Sequence, residues 1–347
     1  MKRGYRRVGS GLLVIAGVAF CAFLLSAPPP PPLSGRYGIA RQPLALATRE
    51  GTDATPIAEL WYPIDAEGPR PVLLYFPSWT GTEIDDVFLT RDLVSNGFIV
   101  VTVRYPTAEE VAKAGFGLRG EPAGTMDFSS EQAFERTLAL GDTKVRARAR
   151  DASAVLDHLH DLNRQDGPFA GRLDLDRIGI WGFSLGGAAA AEAARSDPRI
   201  KAVANLDGWL FADAAIQGVA QPYLLMSDAT PLPSRVELTA ADPVVRYTAL
   251  LNQGDYDRQI AGLKRHGGYL LTIDGTTHVS FADTATRSRL RQLTGRGLAA
   301  SRALTIIAAY LRGFFETHLL AEPSILFGNT PPPFAEAHLQ DWPGDAR

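Results

Sequence analysis

The feature that most constrains the fold of this chain is a pentapeptide, GFSLG at residues 182–186, which joins two contrasting segments. The preceding run, Arg177–Trp181, is short and apolar like a buried strand, and the following run, Gly187–Ala194, is rich in alanine like a helix. A chain that turns directly from strand to helix needs residues without side chains two positions before and after the central serine. Such a turn lifts the serine hydroxyl clear of the sheet. The context therefore predicts a nucleophilic Ser184 rather than an incidental serine in a glycine-rich turn.

Seven further apolar, β-rich runs predict an eight-stranded sheet. They are residues 37–47, 55–62, 71–76, 98–104, 200–205, 222–226 and 269–273. Segments with helical patterning, notably 145–162, separate most of the later runs, and another such segment, 299–318, follows the last one. This alternation predicts an α/β fold with a mostly parallel sheet, helices on both faces and an antiparallel hairpin of the first two strands at one edge. Two connections, 105–144 and 227–268, are too long for simple crossovers and are interpreted as lids or binding loops.

Composition excludes several classes of function. Lys and Arg total 35 against 38 Asp and Glu, a net charge of -3, so we expect no nucleic-acid partner. The single cysteine, Cys21, excludes an intramolecular disulfide framework and a multi-cysteine metal site. No phosphate-binding loop or H-E-x-x-H motif occurs, and we therefore expect neither a metal nor another cofactor. Arg146, Arg148 and Arg150, with Asp151, are interpreted as a solvated helix face.

Residues 1–34 have the layout of an export signal or a single membrane anchor, followed by a proline-rich spacer. An uncharged, mostly apolar run at about residues 9–27 follows four basic residues, Lys2, Arg3, Arg6 and Arg7. Five prolines, Pro28 to Pro32, follow at once, and proline is unfavourable directly after a cleavage site. We expect a membrane-anchored protein facing the periplasm or the outside, or a secreted one if the segment is cleaved.

A nucleophilic serine needs a base and an acid, which follow it along the chain in folds with this turn, the acid first. His278 lies on a short loop after the last predicted strand, so it is the candidate base, although a surface-loop histidine is the alternative. Asp207 follows the sixth predicted strand and Asp228 the seventh, and either could instead be a turn carboxylate. We assign the acid to Asp207, because acids after the seventh strand commonly lie several residues beyond it and Asp228 comes almost at once.

Backbone N–H groups near the serine would stabilise the oxyanion of an acyl-transfer intermediate. The Leu185 N–H qualifies by its position at a helix start. The second donor is expected in the loop after the third strand, where we assign the Thr80 N–H, with the Trp79 N–H as the alternative. Trp79 would also form an apolar wall near the acyl group. Phe183 and Trp209 complete the predicted substrate-binding side chains.

Together these residues resemble the α/β-hydrolase family of platelet-activating-factor acetylhydrolases and their bacterial dienelactone-hydrolase-like relatives. Residues 206–211 (LDGWLF) are similar to the family's Leu-Asp-x-Trp-hydrophobic-Phe segment, whose aspartate is the catalytic acid. Residues 278–283 (HVSFAD) are similar to the segment that begins with the family's catalytic histidine. The resemblance covers about residues 72–319. It implies the α/β-hydrolase fold and a triad of Ser184, Asp207 and His278.

The sequence departs from the family pattern at two places. The family's oxyanion loop typically reads His-Gly-x-Gly, whereas Ser78 and Trp79 replace the first pair here. The residue before the serine is Phe183, where histidine is usual. Both departures bear on the shape of the oxyanion hole and on acyl preference.

The residues and the resemblance predict a serine carboxylic-ester hydrolase that forms an acyl-enzyme and acts on short-acyl or lipid esters. Residues 35–320 would form the catalytic domain and residues 321–347 a proline-rich C-terminal tail. Two other classes stay open. One is a non-catalytic, membrane-tethered binding module with a hydrolase fold, and the other is a peptidase or acyltransferase on the same triad.

Overall fold

A nine-stranded, mostly parallel sheet organises the computed structural model, which describes residues 30–46, 55–82, 85–114, 119–122, 124–283, 297–328 and 333–345. The strands are β1 (Ile39–Leu44), β2 (Ile57–Pro63), β3 (Arg70–Phe76), β4 (Ile99–Arg104), β5 (Leu173–Phe183), β6 (Ile200–Leu206), β7 (Tyr223–Ser227), β8 (Gly268–Ile273) and β9 (Ala337–Trp342). Their spatial order is β1-β2-β4-β3-β5-β6-β7-β8-β9. The strands from β4 to β8 in this order pair in parallel, while β1, β2 and β9 pair antiparallel with their neighbours. The predicted fold class and the predicted edge hairpin are therefore confirmed.

Helices cover both faces of the sheet. Within the described residues they are α1 (Val87–Ser95), α2 (Ala108–Ala114), α3 (Glu131–Arg164), α4 (Leu185–Ser196), α5 (Ala214–Gln217), α6 (Arg235–Leu238), α7 (Pro243–His266) and α8 (Ala300–Leu319). Alternate side chains of β3 enter two different apolar clusters. Leu74 packs in the cluster that includes α3 and α4, and Leu73 packs in the cluster that includes α1 and α8. Because both faces are buried, the central strands are continuously apolar in sequence.

One strand is not apparent from the sequence pattern. The apolar runs predict eight strands, but residues 337–342, predicted to lie in the C-terminal tail, form β9 along the free edge of β8. The reason is the composition of this strand, AHLQDW, which is mixed in polarity and half exposed on the sheet edge. Edge strands of this kind lack the apolar run that identifies a central strand.

The two long connections contain more helix than expected. Helix α3 begins at Glu131, capped by the Ser130 side chain, so the last part of the 105–144 connection is helical rather than a loop. Helix α7 fills most of the second half of the 227–268 connection. Gly141 lies inside α3, although glycine usually weakens a helix. A Cβ atom there would lie 2.4 Å from the Phe211 ring, so close packing accounts for the glycine.

The predicted export signal or anchor lies outside the described residues and stays a prediction. Among the residues that are described, none of the helices combines the length and the apolar character that crossing a membrane requires.

The parallel strands bring the candidate site residues to one edge of the sheet. Ser184 directly follows β5, Asp207 follows β6, Asp228 follows β7 and His278 lies shortly after β8. The carboxyl ends of parallel strands face the same edge, which is where open α/β sheets form their binding sites. Residues that are far apart in sequence therefore meet there.

Candidate active site

The turn at Ser184 has the sharp geometry that the pentapeptide predicts. Ser184 has φ 55° and ψ -125°, a backbone conformation that residues with side chains rarely adopt, and its N–H donates to the Leu206 carbonyl at 2.8 Å. A Cβ atom on Gly182 would lie 2.3 Å from Gly186, and one on Gly186 would lie 2.0 Å from the Phe76 carbonyl oxygen. Both glycines are therefore required sterically. The turn holds Ser184 at the start of α4.

Ser184, His278 and Asp207 lie in a hydrogen-bonded row. The Ser184 Oγ is 3.1 Å from His278 Nε2, and His278 Nδ1 is 2.6 Å from Asp207 Oδ2. An ionised carboxylate can only accept hydrogen bonds, so Nδ1 carries the imidazole proton and Nε2 is free to accept the serine proton. The Asp207 side chain is 14% exposed and that of His278 is 49% exposed. The arrangement can thus remove a proton from Ser184 while the site remains open to solvent.

Asp228, the alternative acid, does not contact the imidazole with its carboxylate. Its backbone N–H donates to Asp207 Oδ1 at 3.0 Å, while its own carboxylate accepts from the Thr230 N–H and hydroxyl. Partial burial and the nearby Asp207 carboxylate raise the pKa of Asp228. The structure therefore places Asp207 against the base and uses the Asp228 backbone to hold the second oxygen of Asp207.

A buried polar network supports the turn that carries Asp207. Asp207 also has a positive φ, 55°, and its N–H donates to the Met226 carbonyl at 2.8 Å. The Asn205 amide contacts the Gly208 N–H and carbonyl and the Tyr223 hydroxyl, which in turn donates to Gln259. Gln259 donates to the same Gly208 carbonyl at 3.1 Å. Because these buried groups satisfy one another, the strained turn has one well-defined arrangement. Their sequence positions gave no signal of this role.

The candidate oxyanion donors belong to two elements, the start of α4 and the loop at residues 78–81. The Leu185 N–H is the first of α4 and has no partner within the helix. Residues 78–81 form a turn closed by the Gly81 N–H and the Ser78 carbonyl at 3.0 Å. In the described part of the chain, neither the Trp79 N–H nor the Thr80 N–H donates a hydrogen bond. The two N–H groups that the sequence suggests as the second oxyanion donor are thus both available to donate to a negatively charged oxygen.

A cavity of about 530 Å³ opens beside Ser184, His278 and Asp207. Its walls come mainly from β7, β8, α7 and the segment after β7, with apolar side chains such as Leu225, Leu270 and Leu232. Of the three predicted substrate-binding side chains, only Trp209 lines it, and the Trp209 indole N–H donates to Asn252 at 3.0 Å. The cavity lies on the Asp207 side of the row formed by Ser184, His278 and Asp207.

Phe183 and Trp79 lie elsewhere than the sequence analysis expects. Phe183 is buried and does not line the cavity; its ring contacts the His278 ring, with centroids 4.8 Å apart. Its position at the end of β5, between strand and turn, directs it into the core next to the imidazole. Trp79 is partly buried outside the cavity, and its indole N–H donates to the Gly124 carbonyl at 3.0 Å.

A buried carboxyl that the sequence analysis did not identify also lines the cavity. Asp255, on α7, accepts a hydrogen bond from the Leu210 N–H at 2.6 Å. Burial raises its pKa to about 7, and this effect outweighs the opposing effects of the Leu210 N–H and of Arg258. Nothing in its helical sequence context distinguishes it from a surface aspartate.

We expect Asp255 to make stability depend on pH. Its pKa in an unfolded chain is about 4, so between about pH 4 and pH 7 the folded state holds a proton that the unfolded state has lost. The free energy of unfolding therefore falls as the pH rises through this window and levels off above it. Asp255→Asn keeps the acceptor oxygen without titrating, and it should remove roughly 2–4 kcal/mol of this decrease. Urea unfolding at several pH values measures the effect. Asp257→Asn, an exposed change on the same helix, is the control; an unchanged slope in the Asp255 variant would refute the expectation.

Within the described ranges, no three His, Cys, Asp or Glu side chains are grouped so that they could hold a metal ion.

Comparison with solved structures identifies the fold. The chain superimposes on a ferulic acid esterase from Streptomyces cinnamoneus with a TM-score of 0.63, covering 91% of this chain and 99% of that one at 23% sequence identity. The chain has the α/β-hydrolase fold. A family described as PET hydrolase-like matches residues 137–243 of the chain, a range that includes Ser184 and Asp207.

Curated relatives of this chain have names that describe ester hydrolysis. Cutinase 2 of Thermobifida cellulosilytica is 24% identical over 51% of this chain and 52% of the relative. The probable 1-alkyl-2-acetylglycerophosphocholine esterase of Arthroderma benhamiae is 23% identical over 75% of this chain and 64% of the relative. The match thus spans about half the length of the cutinase. These relatives fit the α/β-hydrolase esterase family that the sequence resembles, which confirms that resemblance.

Proposed function

We propose that this α/β-hydrolase is a serine carboxylic-ester hydrolase. The observation that carries the proposal is the row Ser184 Oγ, His278 and Asp207, with hydrogen-bond distances of 3.1 and 2.6 Å, at a strained turn before a helix. A serine without this setting is a weak nucleophile, whereas an adjacent base oriented by a carboxylate activates it.

The proposed reaction begins with attack of Ser184 Oγ on the ester carbonyl carbon. As the C–O bond forms, His278 Nε2 takes the serine proton, and Asp207 stabilises the resulting imidazolium through Nδ1–H. The tetrahedral intermediate collapses, the imidazolium gives its proton to the departing alkoxide, and an alcohol leaves. Water then attacks the acyl-enzyme with His278 as the base, which releases the carboxylic acid and restores Ser184.

The carbonyl oxygen becomes negatively charged during both attacks. We assign its stabilisation to the Leu185 N–H together with an N–H of the loop at residues 78–81, from Thr80 or Trp79. The start of α4 adds the favourable field of a helix N-terminus. Both kinds of donor lie on backbone that is fixed before the substrate binds, which lowers the cost of charge stabilisation.

The relatives and the cavity support an ester substrate with an apolar part. Cutinases, a ferulic acid esterase and an acetylglycerophosphocholine esterase are all named for ester substrates. The cavity beside Ser184 has the size of ordinary small-molecule sites and mainly apolar walls. We therefore propose short-acyl or lipid esters as the substrate class. With the predicted anchor or export signal, the site would act outside the cytoplasm.

Labelling of the purified full chain with a fluorophosphonate tests the proposal, because this reagent phosphonylates activated serines without requiring the natural substrate. We expect one adduct, located on Ser184 by peptide mass spectrometry. Ser227 lines the same cavity, so Ser227→Ala should be labelled normally while Ser184→Ala should not be labelled. A folded wild-type protein without an adduct would contradict the proposal and favour a non-catalytic binding module.

A further inference from the structure

A buried ionic cluster lies behind the loop that carries the candidate oxyanion donors. The Arg148 side chain, on α3, has no exposed surface, and those of Glu121 and Lys144 are each 4% exposed. Glu121 accepts from Arg148 Nε at 2.7 Å and Nη2 at 2.8 Å, and from Lys144 Nζ at 2.9 Å. The expectation of a solvated face at Arg148 is therefore wrong. Glu121 neutralises Arg148 inside the protein.

The remaining N–H groups of Arg148 bind the backbone of the loop. Nη1 donates to the Pro77 carbonyl, and Nη2 donates to the Ser78 carbonyl at 3.0 Å, with the Trp79 carbonyl farther away at 3.5 Å. One guanidinium thus contacts consecutive carbonyls of the loop from a single side. Arginine is suited to this role because its planar fork directs several donors at once, whereas lysine presents a single ammonium.

These contacts fix the direction of the N–H groups on the opposite side of each peptide. In a trans peptide the N–H points opposite to the preceding C=O, and the described residues contain no cis peptide. The Pro77 carbonyl faces Arg148, and the Ser78 N–H of the same peptide points away and donates to Asp85 at 2.8 Å. The Ser78 carbonyl also faces Arg148, so the Trp79 N–H points away from it.

We propose that Arg148 is a positioning residue that sets the peptide between Ser78 and Trp79 so that the Trp79 N–H serves as the second oxyanion donor. This inference rests on the proposed ester hydrolysis and favours Trp79 over Thr80, since the carbonyl before the Thr80 N–H contacts Arg148 only at 3.5 Å. Arg148 itself does not touch the substrate. It acts through the loop backbone.

Two further contacts tie the same loop to the cluster. A Cβ atom on Gly81 would lie 2.7 Å from Arg148 Nη2 and 2.7 Å from Glu121, and Gly81 has φ 68°. The turn therefore depends on a glycine that leaves room for the ion pair. The Lys144 ammonium lies 5.9 Å from the centre of the Trp79 ring. Glu121 belongs to the long 105–144 connection, so this connection contributes to the site by holding Arg148 against the loop.

If Arg148 only stabilised the fold, kcat and thermal stability would change together in its variants. If Arg148 positions the loop, kcat and thermal stability change separately. Buried ion pairs contribute little to stability compared with uncharged replacements, whereas removing one partner leaves an unpaired buried charge. The triple variant Arg148→Met/Glu121→Leu/Lys144→Met removes all three charges of the cluster, so no buried charge is left unpaired. It should therefore recover much of the stability that Arg148→Met loses, while the loop carbonyls still lack their donor.

The test compares kcat and KM for p-nitrophenyl acetate with thermal stability in the full chain. We expect Arg148→Met to lower kcat by about 10- to 100-fold, with KM within about twofold, because one oxyanion donor is displaced. The triple variant should regain thermal stability without regaining kcat. Arg148→Lys, which keeps the charge without the fork, should also lose kcat. Arg146→Met, on the exposed side of α3, is the matched control and should retain wild-type kcat.

A tetrahedral mimic provides a second readout. An alkyl trifluoromethyl ketone forms a hemiketal with the serine and places an oxyanion in the hole, whereas the matched methyl ketone does so far less readily. Weakened inhibition by the first and unchanged binding of the second in the Arg148 variants would support the proposal. Recovery of kcat together with stability in the triple variant would overturn it. If wild-type protein is not labelled at Ser184, the proposed function itself fails, so the two failures are distinguishable.

Discussion

Replacing Ser184 with alanine is expected to lower kcat for p-nitrophenyl acetate by roughly 10⁴- to 10⁶-fold, because no covalent acyl intermediate can form. KM should change little, since the hydroxyl contributes mainly to the transition state rather than to binding. Steady-state assays on purified full chain measure both parameters. The oxyanion donors and the cavity remain, so a small residual rate above the uncatalysed reaction is expected.

The Ser184 experiment needs a check on folding, because the residue has a positive φ. Alanine faces the same backbone strain as serine, so the circular dichroism spectrum should match that of the wild type. Ser227→Ala is the control for a serine of the same cavity and should keep its activity. Turnover at the wild-type rate in a folded Ser184→Ala protein would exclude the proposed mechanism.

The second large effect is expected at Asp207. Asp207→Asn replaces the acceptor facing His278 Nδ1 with an amide that can donate, which favours the tautomer with its proton on Nε2. That tautomer cannot accept the proton of Ser184, so kcat should fall by roughly 10⁴-fold. The measurement is kcat for p-nitrophenyl acetate, with fluorophosphonate labelling rates as a second measure of serine activation.

Asp228→Asn is the matched control for Asp207→Asn. The hydrogen bond from residue 228 to Asp207 comes from its backbone, and an asparagine side chain can still accept from Thr230. We therefore expect a change of only a few-fold in kcat. The reverse outcome, with a large loss only in the Asp228 variant, would show that the acid is assigned to the wrong residue.

The central sheet was predictable because its physical signal is local. Strands such as β3 are buried on both faces, so each appears in the sequence as a short apolar run between helical segments. The pentapeptide around Ser184 was equally informative, since the close approach of Gly186 to the Phe76 carbonyl permits no side chain there. Chain order then led to Asp207 and His278, which the structure brings together with Ser184.

The features that sequence reasoning missed depend on distant partners. In the sequence Arg148 is one of several arginines at alternating positions, and only the fold shows that Glu121 and the Ser78 carbonyl contact it. Asp255 likewise has an ordinary helical context, and its burial against the Leu210 backbone arises from tertiary packing. Phe183 was interpreted as a substrate contact, yet the strand directs its ring against His278. The local sequence pattern does not show which distant residues contact these side chains in the fold.

The pairing of β9 with β8 has a consequence for how the chain folds during its synthesis. His278 follows β8, whose outer edge pairs with residues 337–342. While the ribosome is still adding the intervening residues, that edge has unsatisfied backbone groups, and such edges pair readily with other chains. A chain that has folded as far as β8 therefore has an open sheet edge close to His278 until β9 pairs with it. Translation of the last strand closes the edge at the point where Ile273 pairs with Ala337.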